Sequence, residues 1–151
     1  MEDRLIEHIR IEMLNSMRCI KIADDILKTL LEMTPLSKNE RYNFRVAVSE
    51  VVSNSYLHGN CQDPKKKITF ECKISVNEIQ VRVEDEGEGF TNEEITEKYE
   101  SEGLYATGGR GLKIVNKIAD NIICHQTSEG NFAVTICKHF KLQHREQTGV
   151  V

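Results

Sequence analysis

A carboxylate and a carboxamide four residues apart are the first pair in the chain whose types and spacing suit chemistry. Glu50 and Asn54 stand in the segment 49–59, which reads SEVVSNSYLHG. A spacing of four places two side chains on one face of a helix. Carboxamide and carboxylate oxygens are hard ligands of the kind that Mg²⁺ prefers, and a carboxylate can also accept a proton. Taken alone, the pair fits an ordinary solvent-exposed helix face equally well.

A second polar cluster follows a predicted strand. Asp85, Gly87 and Gly89 alternate with glutamates directly after the β-type run 79–84. A carboxylate at the end of a strand can accept a hydrogen bond from the exocyclic amine of a base, and glycines permit sharp backbone turns. The cluster alone also fits a common turn. A calcium loop is not supported, because its further ligands are missing.

A third cluster is rich in glycine and opens a predicted helix. Gly108, Gly109, Arg110 and Gly111 precede Leu112. The backbone N–H groups at a helix start form an anion site, and glycine lets phosphates approach closely. The segment does not match the phosphate loop that ends in GK[ST], because no lysine follows in the required place. A glycine cap or a flexible hinge is the purely structural alternative.

The elements that must position these clusters follow from hydrophobic periodicity and breakers. A capping-box pair, Ser37 and Glu40, begins the helix that carries Glu50, and Gly59-Asn60 ends it. The sequence predicts an α+β fold: a two-layer sandwich with helices on one face of a mixed, mostly antiparallel sheet. The first predicted strand rests on the alternation of residues 8–13, within the mixed stretch 5–14, and the other predicted strands cover residues 68–76, 79–84, 122–126 and 132–138. The predicted helices cover residues 17–33, 38–58 and 112–119.

Length and composition indicate one globular domain. The chain has 151 residues, of which 39% are hydrophobic and 29% charged, and it carries a formal net charge of −4. We expect residues 1–142 to form a single domain and residues 143–151 to be a disordered tail. No basic block stands out, which disfavours nucleic acid as a partner. No apolar run approaches the roughly 20 residues that cross a bilayer, so no membrane association is expected.

The cysteines and the N-terminus predict a cytoplasmic protein. The five cysteines include no CxxC pair, which suits reduced thiols in the cytosol. The chain begins with charged residues rather than with the apolar region of a signal peptide. A zinc site is a disfavoured alternative, because strand residues of these types usually pack in the core; its ligands would be Cys124, His125, Cys137 and His139.

The order and spacing of the three clusters resemble those of the GHKL (Bergerat-fold) ATPase superfamily, which includes gyrase and sensor histidine kinases. Residues 49–59 are similar to its N box, residues 85–89 to its first glycine box, and residues 108–111 to its second. Within the superfamily, residues 46–59, 85–90 and 109–112 most resemble the anti-sigma factor serine/threonine-kinase family. The resemblance covers residues 39–138 and implies the histidine-kinase-like ATP-binding domain as the fold.

The resemblance also implies roles for individual residues. Asn54 would ligate Mg²⁺ and bridge it to the phosphates of ATP, and Glu50 would be the general base. Asp85 would accept a hydrogen bond from the adenine amino group. The other implied nucleotide-binding positions are the turn glycines Gly87 and Gly89, the phosphate-binding segment Gly108, Gly109, Arg110, Gly111 and Leu112, and His58 and Thr135 near the nucleotide. Residues 91–107 would be the lid over ATP.

The function implied by the resemblance is that of a partner-switching regulator of transcription. The chain would be a serine/threonine protein kinase that phosphorylates a serine of an anti-anti-sigma (STAS-type) protein and sequesters a sigma factor. The alternative is a nucleotide-gated protein-binding switch without kinase turnover. Thr107 keeps it open, since some family members carry an arginine there. A histidine kinase is disfavoured, because it would need a phospho-acceptor histidine on a helix hairpin before this domain. The one histidine among the first 38 residues, His8, lies on a predicted strand.

A protein contact is implied by helix 17–33. Its apolar stripe suits a homodimer or a sigma-factor contact, and core packing explains the same stripe equally well.

A small α+β domain without any ligand is the remaining alternative. It would require all three clusters to occur in this order by chance.

Overall fold

The computed structural model describes residues 4–88 and 119–141. Two helices and five strands are seen there, together with one short π-helical turn. They are β1 (Leu5–Leu14), α1 (Arg18–Leu31), α2 (Lys38–Asn54), the π-turn (Ser55–Gly59), β2 (Lys67–Ser75), β3 (Glu78–Asp85), β4 (Asn121–Gln126) and β5 (Phe132–His139). The described helices are too short or too polar to cross a membrane.

The five strands form one sheet in the order β1-β2-β3-β5-β4. Every strand pairing within the described residues is antiparallel. β2 and β3 form a tight hairpin, while β5 inserts between β3 and β4 and pairs Phe132 with Asp85. This confirms the predicted α+β sandwich. The described part of the sheet contains no parallel pair, although a mixed sheet was predicted.

The core lies between the sheet and the two helices. On β3 every second residue is buried, because side chains of a strand alternate between its two faces. Ile79, Val81 and Val83 therefore point toward the helical layer, where they join one core cluster with Leu27 and Phe44. The opposite face of the sheet is not covered by a described helix and carries mostly polar side chains. A two-layer fold results.

The N-terminal end of α2 is closed by local hydrogen bonds. The Glu40 N–H donates to Ser37 Oγ at 3.2 Å, and the Ser37 N–H donates to Glu40 Oε2 at 2.8 Å, which confirms the capping box. One helical turn further on, Arg45 binds both carboxylate oxygens of Asp24 on α1, at 2.9 and 2.7 Å. The hydrogen bond from Arg45 outweighs partial burial and lowers the pKa of Asp24.

The sequence placed the elements well and their ends less well. Four of the observed strands agree with the predicted ones to within one residue at each end, whereas β1 extends from Leu5 to Leu14, beyond the alternating residues 8–13 from which it was predicted. The helix predicted for residues 38–58 instead ends as an α-helix at Asn54 and continues through the wider π-turn to Gly59. The helix predicted for 112–119 lies outside the described residues except for Ala119, and the predicted tail, 143–151, lies outside them entirely.

Candidate functional site

The C-terminal half of α2 presents two polar side chains on one face. Glu50 and Asn54 are both partly buried, while Val48, Val51 and Val52 turn into the core. Within residues 4–88 and 119–141, neither the Glu50 nor the Asn54 side chain has a hydrogen-bonding partner or an ion pair. Their oxygens therefore remain available to a ligand from outside this part of the chain. The predicted arrangement of the pair on one helix face is confirmed.

The π-turn carries this helix into contact with the end of β3. Ser55, the first residue of the turn, is buried at 4% exposure, and its hydroxyl donates a hydrogen bond to the carboxylate of Asp85. His58, near the end of the turn, is exposed. π-helical turns are rare and occur often at functional sites, because the extra residue per turn redirects side chains. Here the turn brings the end of α2 against Asp85.

Asp85 is a buried hydrogen-bond acceptor at the end of β3. It is 3% exposed and accepts a hydrogen bond from the Gly87 N–H at 2.9 Å. Burial raises the pKa of the Asp85 carboxyl to about 6, and the bonds from Gly87 and Ser55 oppose that rise. The group is therefore mostly ionised at neutral pH and keeps acceptor capacity beyond these two bonds. An amine on a planar ligand is a suitable donor to it.

Two glycines permit the close packing around Asp85. A Cβ at Gly59 would overlap the carboxylate of Asp85, and a Cβ at Gly87 would overlap the carbonyl of Gly59. Gly87 was predicted to shape a turn after the strand, and it also packs against Gly59 at the end of the π-turn. Gly59 was interpreted as the stop of the helix and as the last residue of the segment that resembles the N box. Its contact with Asp85 could not be found from the sequence, because the two residues are distant along the chain.

Asn60 is a further residue of this site that the sequence analysis missed. Its side chain is completely buried and makes three hydrogen bonds. Its partners are the backbone N–H of Glu86, the carbonyl of Lys67 and the side chain of Asn15. An asparagine directly after the glycine that ends a helix was the available signal, since its amide can both donate and accept.

The structure does not bring Thr135 to Asp85. Thr135 pairs with Arg82 across β3 and β5, whereas Asp85 pairs with Phe132. Opposite residues of an antiparallel pair share a face, and successive residues alternate. Phe132 belongs to the core under the helices, so Thr135 lies on the other face of the sheet.

The remaining predicted positions cannot be compared with the fold. Gly89, Gly108, Gly109, Arg110, Gly111 and Leu112 lie outside the described residues. The predicted lid, 91–107, lies outside them as well. The site that can be described thus consists of the α2 face, the π-turn and the end of β3.

The oxygens on α2 fit magnesium better than zinc. Mg²⁺ is commonly held by one or two protein oxygens together with phosphate oxygens and water. The carboxamide of Asn54, which has no partner in the described part of the chain, is such a donor. A structural zinc site requires about four nitrogen or sulfur ligands. Across residues 4–88 and 119–141, no three His, Cys, Asp or Glu side chains are grouped so as to hold a metal ion.

This fold corresponds to a known class of ATP-binding domains. Residues 17–138 match the family model of the histidine kinase-like ATPase domain. Because the match takes in most of the sequence, the chain belongs to this family. The fold predicted from the resemblance is thereby confirmed, and the family is one of ATP-binding domains.

Among relatives of known name, the chain is similar to anti-sigma F factors. It is 29% identical over 102 residues to the anti-sigma F factor of Oceanobacillus iheyensis, which covers 66% of this chain and 70% of the relative. It is 34% identical over 85 residues to that of Clostridium perfringens, covering 55% of this chain and 61% of the relative. The chain thus spans less than two thirds of the second relative. The resemblance to the anti-sigma family is confirmed.

Two solved structures share the fold at low sequence identity. One is the SiaB–SiaC complex from Pseudomonas aeruginosa, with a TM-score of 0.57 at 10% identity, covering 91% of this chain and 92% of that one. The other is the mycobacterial sensor histidine kinase MprB, with a TM-score of 0.56 at 13% identity, covering 88% and 99%. At such identity the likeness concerns the fold alone.

Proposed function

We propose that this chain is a Mg-ATP-dependent serine/threonine protein kinase that acts in the cytosol as an anti-sigma factor. It phosphorylates a serine of an anti-anti-sigma (STAS-type) protein and sequesters a sigma factor. The observation that carries the proposal is the buried acceptor Asp85 at the end of β3, against which Gly59 packs closely. The π-turn connects this position to the helix face that carries Glu50 and Asn54. The anti-sigma F factor relatives support the regulatory role.

Each residue has one task in this proposal. The ionised carboxylate of Asp85 accepts a hydrogen bond from the adenine amino group. Asn54 supplies a carboxamide oxygen to Mg²⁺, which when bound offsets the negative charge on the phosphates. Gly109 and Gly111 donate backbone N–H groups to the phosphates, and Arg110 adds positive charge beside them. Phosphoryl transfer depends mainly on positioning and on neutralisation of charge, so this small set suffices.

Glu50 is the proposed general base. Its carboxylate takes the proton of the acceptor serine hydroxyl while that oxygen bonds to the γ-phosphorus, and the bond from that phosphorus to the bridging oxygen of ADP breaks. The lack of a partner for Glu50 within the described residues supports this role, because its carboxylate oxygens are then available to accept the hydroxyl proton.

The test is phosphate transfer to a purified anti-anti-sigma partner in the presence of labelled Mg-ATP. We expect Glu50→Gln to lower the transfer rate by about 10²–10⁴-fold, the usual contribution of a general base, while ATP still binds. Glu32→Gln, an exposed glutamate at the end of α1, is the matched control and should transfer at the normal rate. Normal transfer by Glu50→Gln would refute the assigned base.

The second candidate is a nucleotide-gated switch that binds its partner without transferring phosphate. Thr107 favours it, because it replaces an arginine that some family members carry near the phosphates. The same experiment separates the two functions. The switch would be supported if the partner binds in an ATP-dependent manner but no labelled phosphate is transferred to it.

A homodimer is part of the proposed function. β1 is an edge strand of ten residues, so one side of its backbone is unpaired within the described part. Leu5, Ile6, Leu14 and Met17 are apolar and exposed in or just after it. Edge strands with exposed apolar side chains are surfaces on which chains associate.

A further inference from the structure

The buried side chain of Asn60 joins the segments around the nucleotide site. Its Nδ2 donates to the carbonyl of Lys67 at 2.9 Å and to Asn15 Oδ1 at 3.2 Å, while its Oδ1 accepts from the Glu86 N–H at 2.8 Å. Asn15 is itself buried and donates to the carbonyl of Asp63 at 3.1 Å. The network therefore connects the end of the π-turn to the start of β2 and to the loop after β3.

The bond to Glu86 is the one that reaches the site. Glu86 lies between Asp85 and Gly87, and Asn60 directly follows Gly59. The backbone of Gly59 packs on the Asp85 carboxylate and on Gly87. Asn60 thus ties together the two chain segments that meet at this carboxylate. Asn60 does not contact a ligand itself, because at 0% exposure its side chain is enclosed by the protein.

The loop after β3 is held from a second direction. The Lys67 N–H donates to Glu86 Oε2 at 2.6 Å, and Lys67 is also the residue whose carbonyl binds Asn60. Glu86 is therefore fixed by its backbone to Asn60 and by its side chain to β2. Removing the Asn60 amide leaves the Glu86 N–H without this acceptor, and a shift of the loop moves Gly87 and the carboxylate that it binds.

We propose that Asn60 is a positioning residue for adenine recognition: its buried amide orients the Asp85 carboxylate and so sets the preference for a base with an exocyclic amine. This inference rests on the proposed function, in which Asp85 binds the adenine amino group. Hydrogen bonds weaken steeply when distance and angle depart from their optimum, so a small displacement of the carboxylate has a measurable effect. A purely structural Asn60 would instead affect all nucleotides alike.

The experiment compares two ligands that differ in one group. ATP carries the 6-amino group, and purine riboside triphosphate lacks it but is otherwise the same. The ratio of their dissociation constants measures the contact with the amine, and thermal unfolding of each variant measures stability separately. For the wild type we expect ATP to bind about tenfold more tightly, the worth of one hydrogen bond to a charged group. Asp85→Asn, the reference variant, should bring the ratio near one.

Asn60→Ala is the decisive variant. We expect its ratio to fall to about threefold or less, because the carboxylate is misplaced, while the affinity for purine riboside triphosphate changes by no more than about twofold. Thr34→Ala is the matched control, since Thr34 is also buried and hydrogen-bonded but lies after α1, away from the site. It should lower the unfolding temperature and keep the tenfold ratio.

Asn15→Ala decides the question if Asn60→Ala does not fold. It removes one of the three Asn60 bonds and leaves the bond to Glu86, so we expect the ratio to fall by about twofold. The inference is overturned, and the proposed function left intact, if Asn60→Ala weakens the binding of both ligands by the same factor. If Asn60→Ala does not fold, the same result for Asn15→Ala overturns the inference. A wild type that does not distinguish the two ligands would overturn both.

Discussion

The two ends of α2 follow different rules. At its N-terminal end the polar groups are satisfied within the protein: Ser37 and Glu40 cap each other, and Arg45 binds Asp24. At its C-terminal end Glu50 and Asn54 have no side-chain partner among the described residues. One end fixes the helix, and the other keeps polar groups available for a ligand. Such a division is expected, because a functional site gives up stability that the rest of the fold provides.

The pKa values of Asp24 and Asp85 show the same contrast between a group that stabilises the fold and one that remains available to a ligand. The pKa of Asp24 is lowered by its hydrogen bond to Arg45, so its charge stabilises the fold. The pKa of Asp85 is raised to about 6 by burial, so its charge costs stability. A carboxylate placed for the benefit of the fold would be paired with a cation. Among residues 4–88 and 119–141, Asp85 is hydrogen-bonded by the Gly87 N–H and the Ser55 hydroxyl alone, which leaves room for a donor from a ligand.

The largest effect on ATP affinity is expected from Gly59→Ala. The new methyl group overlaps the Asp85 carboxylate, and overpacking of this kind costs about 1–3 kcal/mol of unfolding free energy. ATP affinity should fall by about 100-fold, because displacement disturbs both the carboxylate and the helix end. Calorimetric titration and chemical denaturation measure the two effects.

Gly130→Ala is the control for this substitution. Gly130 has a φ of +82° and open space around its Cβ position. Its alanine variant should lose about 1 kcal/mol of stability through backbone strain and keep normal ATP affinity. Normal ATP binding by Gly59→Ala would contradict the proposed packing at Asp85.

Asp85→Asn should separate stability from binding. Between the ordinary pKa of 3.8 and the folded value of about 6, the folded state holds more protons than the unfolded state. The free energy of unfolding therefore falls as pH rises through this window, and the deficit is complete above it. The asparagine variant should be more stable at pH 7.5 by about 1–3 kcal/mol and should lose this pH dependence.

ATP binding responds in the opposite direction. The affinity of the wild type should increase as pH rises through about 6, because the ionised carboxylate accepts the amine hydrogen bond. The asparagine variant should bind weakly at every pH. Urea denaturation and titration calorimetry between pH 5 and 8 check both curves. A less stable asparagine variant at pH 7.5 would show that the Asp85 charge is compensated.

The smallest effect is expected from Asp24→Asn, which removes the ion pair with Arg45 toward the N-terminal end of α2. The pair with Arg45 is partly exposed, so its loss should cost about 1 kcal/mol. The folded pKa of Asp24 lies below 3.8, so this stability is present above pH 3.8 and is lost as pH falls through the folded pKa. ATP affinity should not change. A weaker affinity would mean that the two ends of α2 are coupled.

Local patterns were sufficient for the elements and for part of the site. Alternation and helical periodicity predicted the five strands and both described helices, because each pattern repeats within a few residues. A spacing of four was enough to place Glu50 and Asn54 on one face, and the end of an alternating β-type run placed Asp85 at the end of β3. These are features that neighbours along the chain decide.

The tertiary structure decided what depends on distant residues meeting. The contact of Gly59 with Asp85 and the hydrogen bond from Glu86 to Asn60 each join the end of the π-turn to the end of β3 or the loop after it. The face on which Thr135 lies follows from the register of β5 against β3, and a shift of one residue reverses it. No local pattern contains that information, since register and close approach arise only when the sheet and the helices pack together.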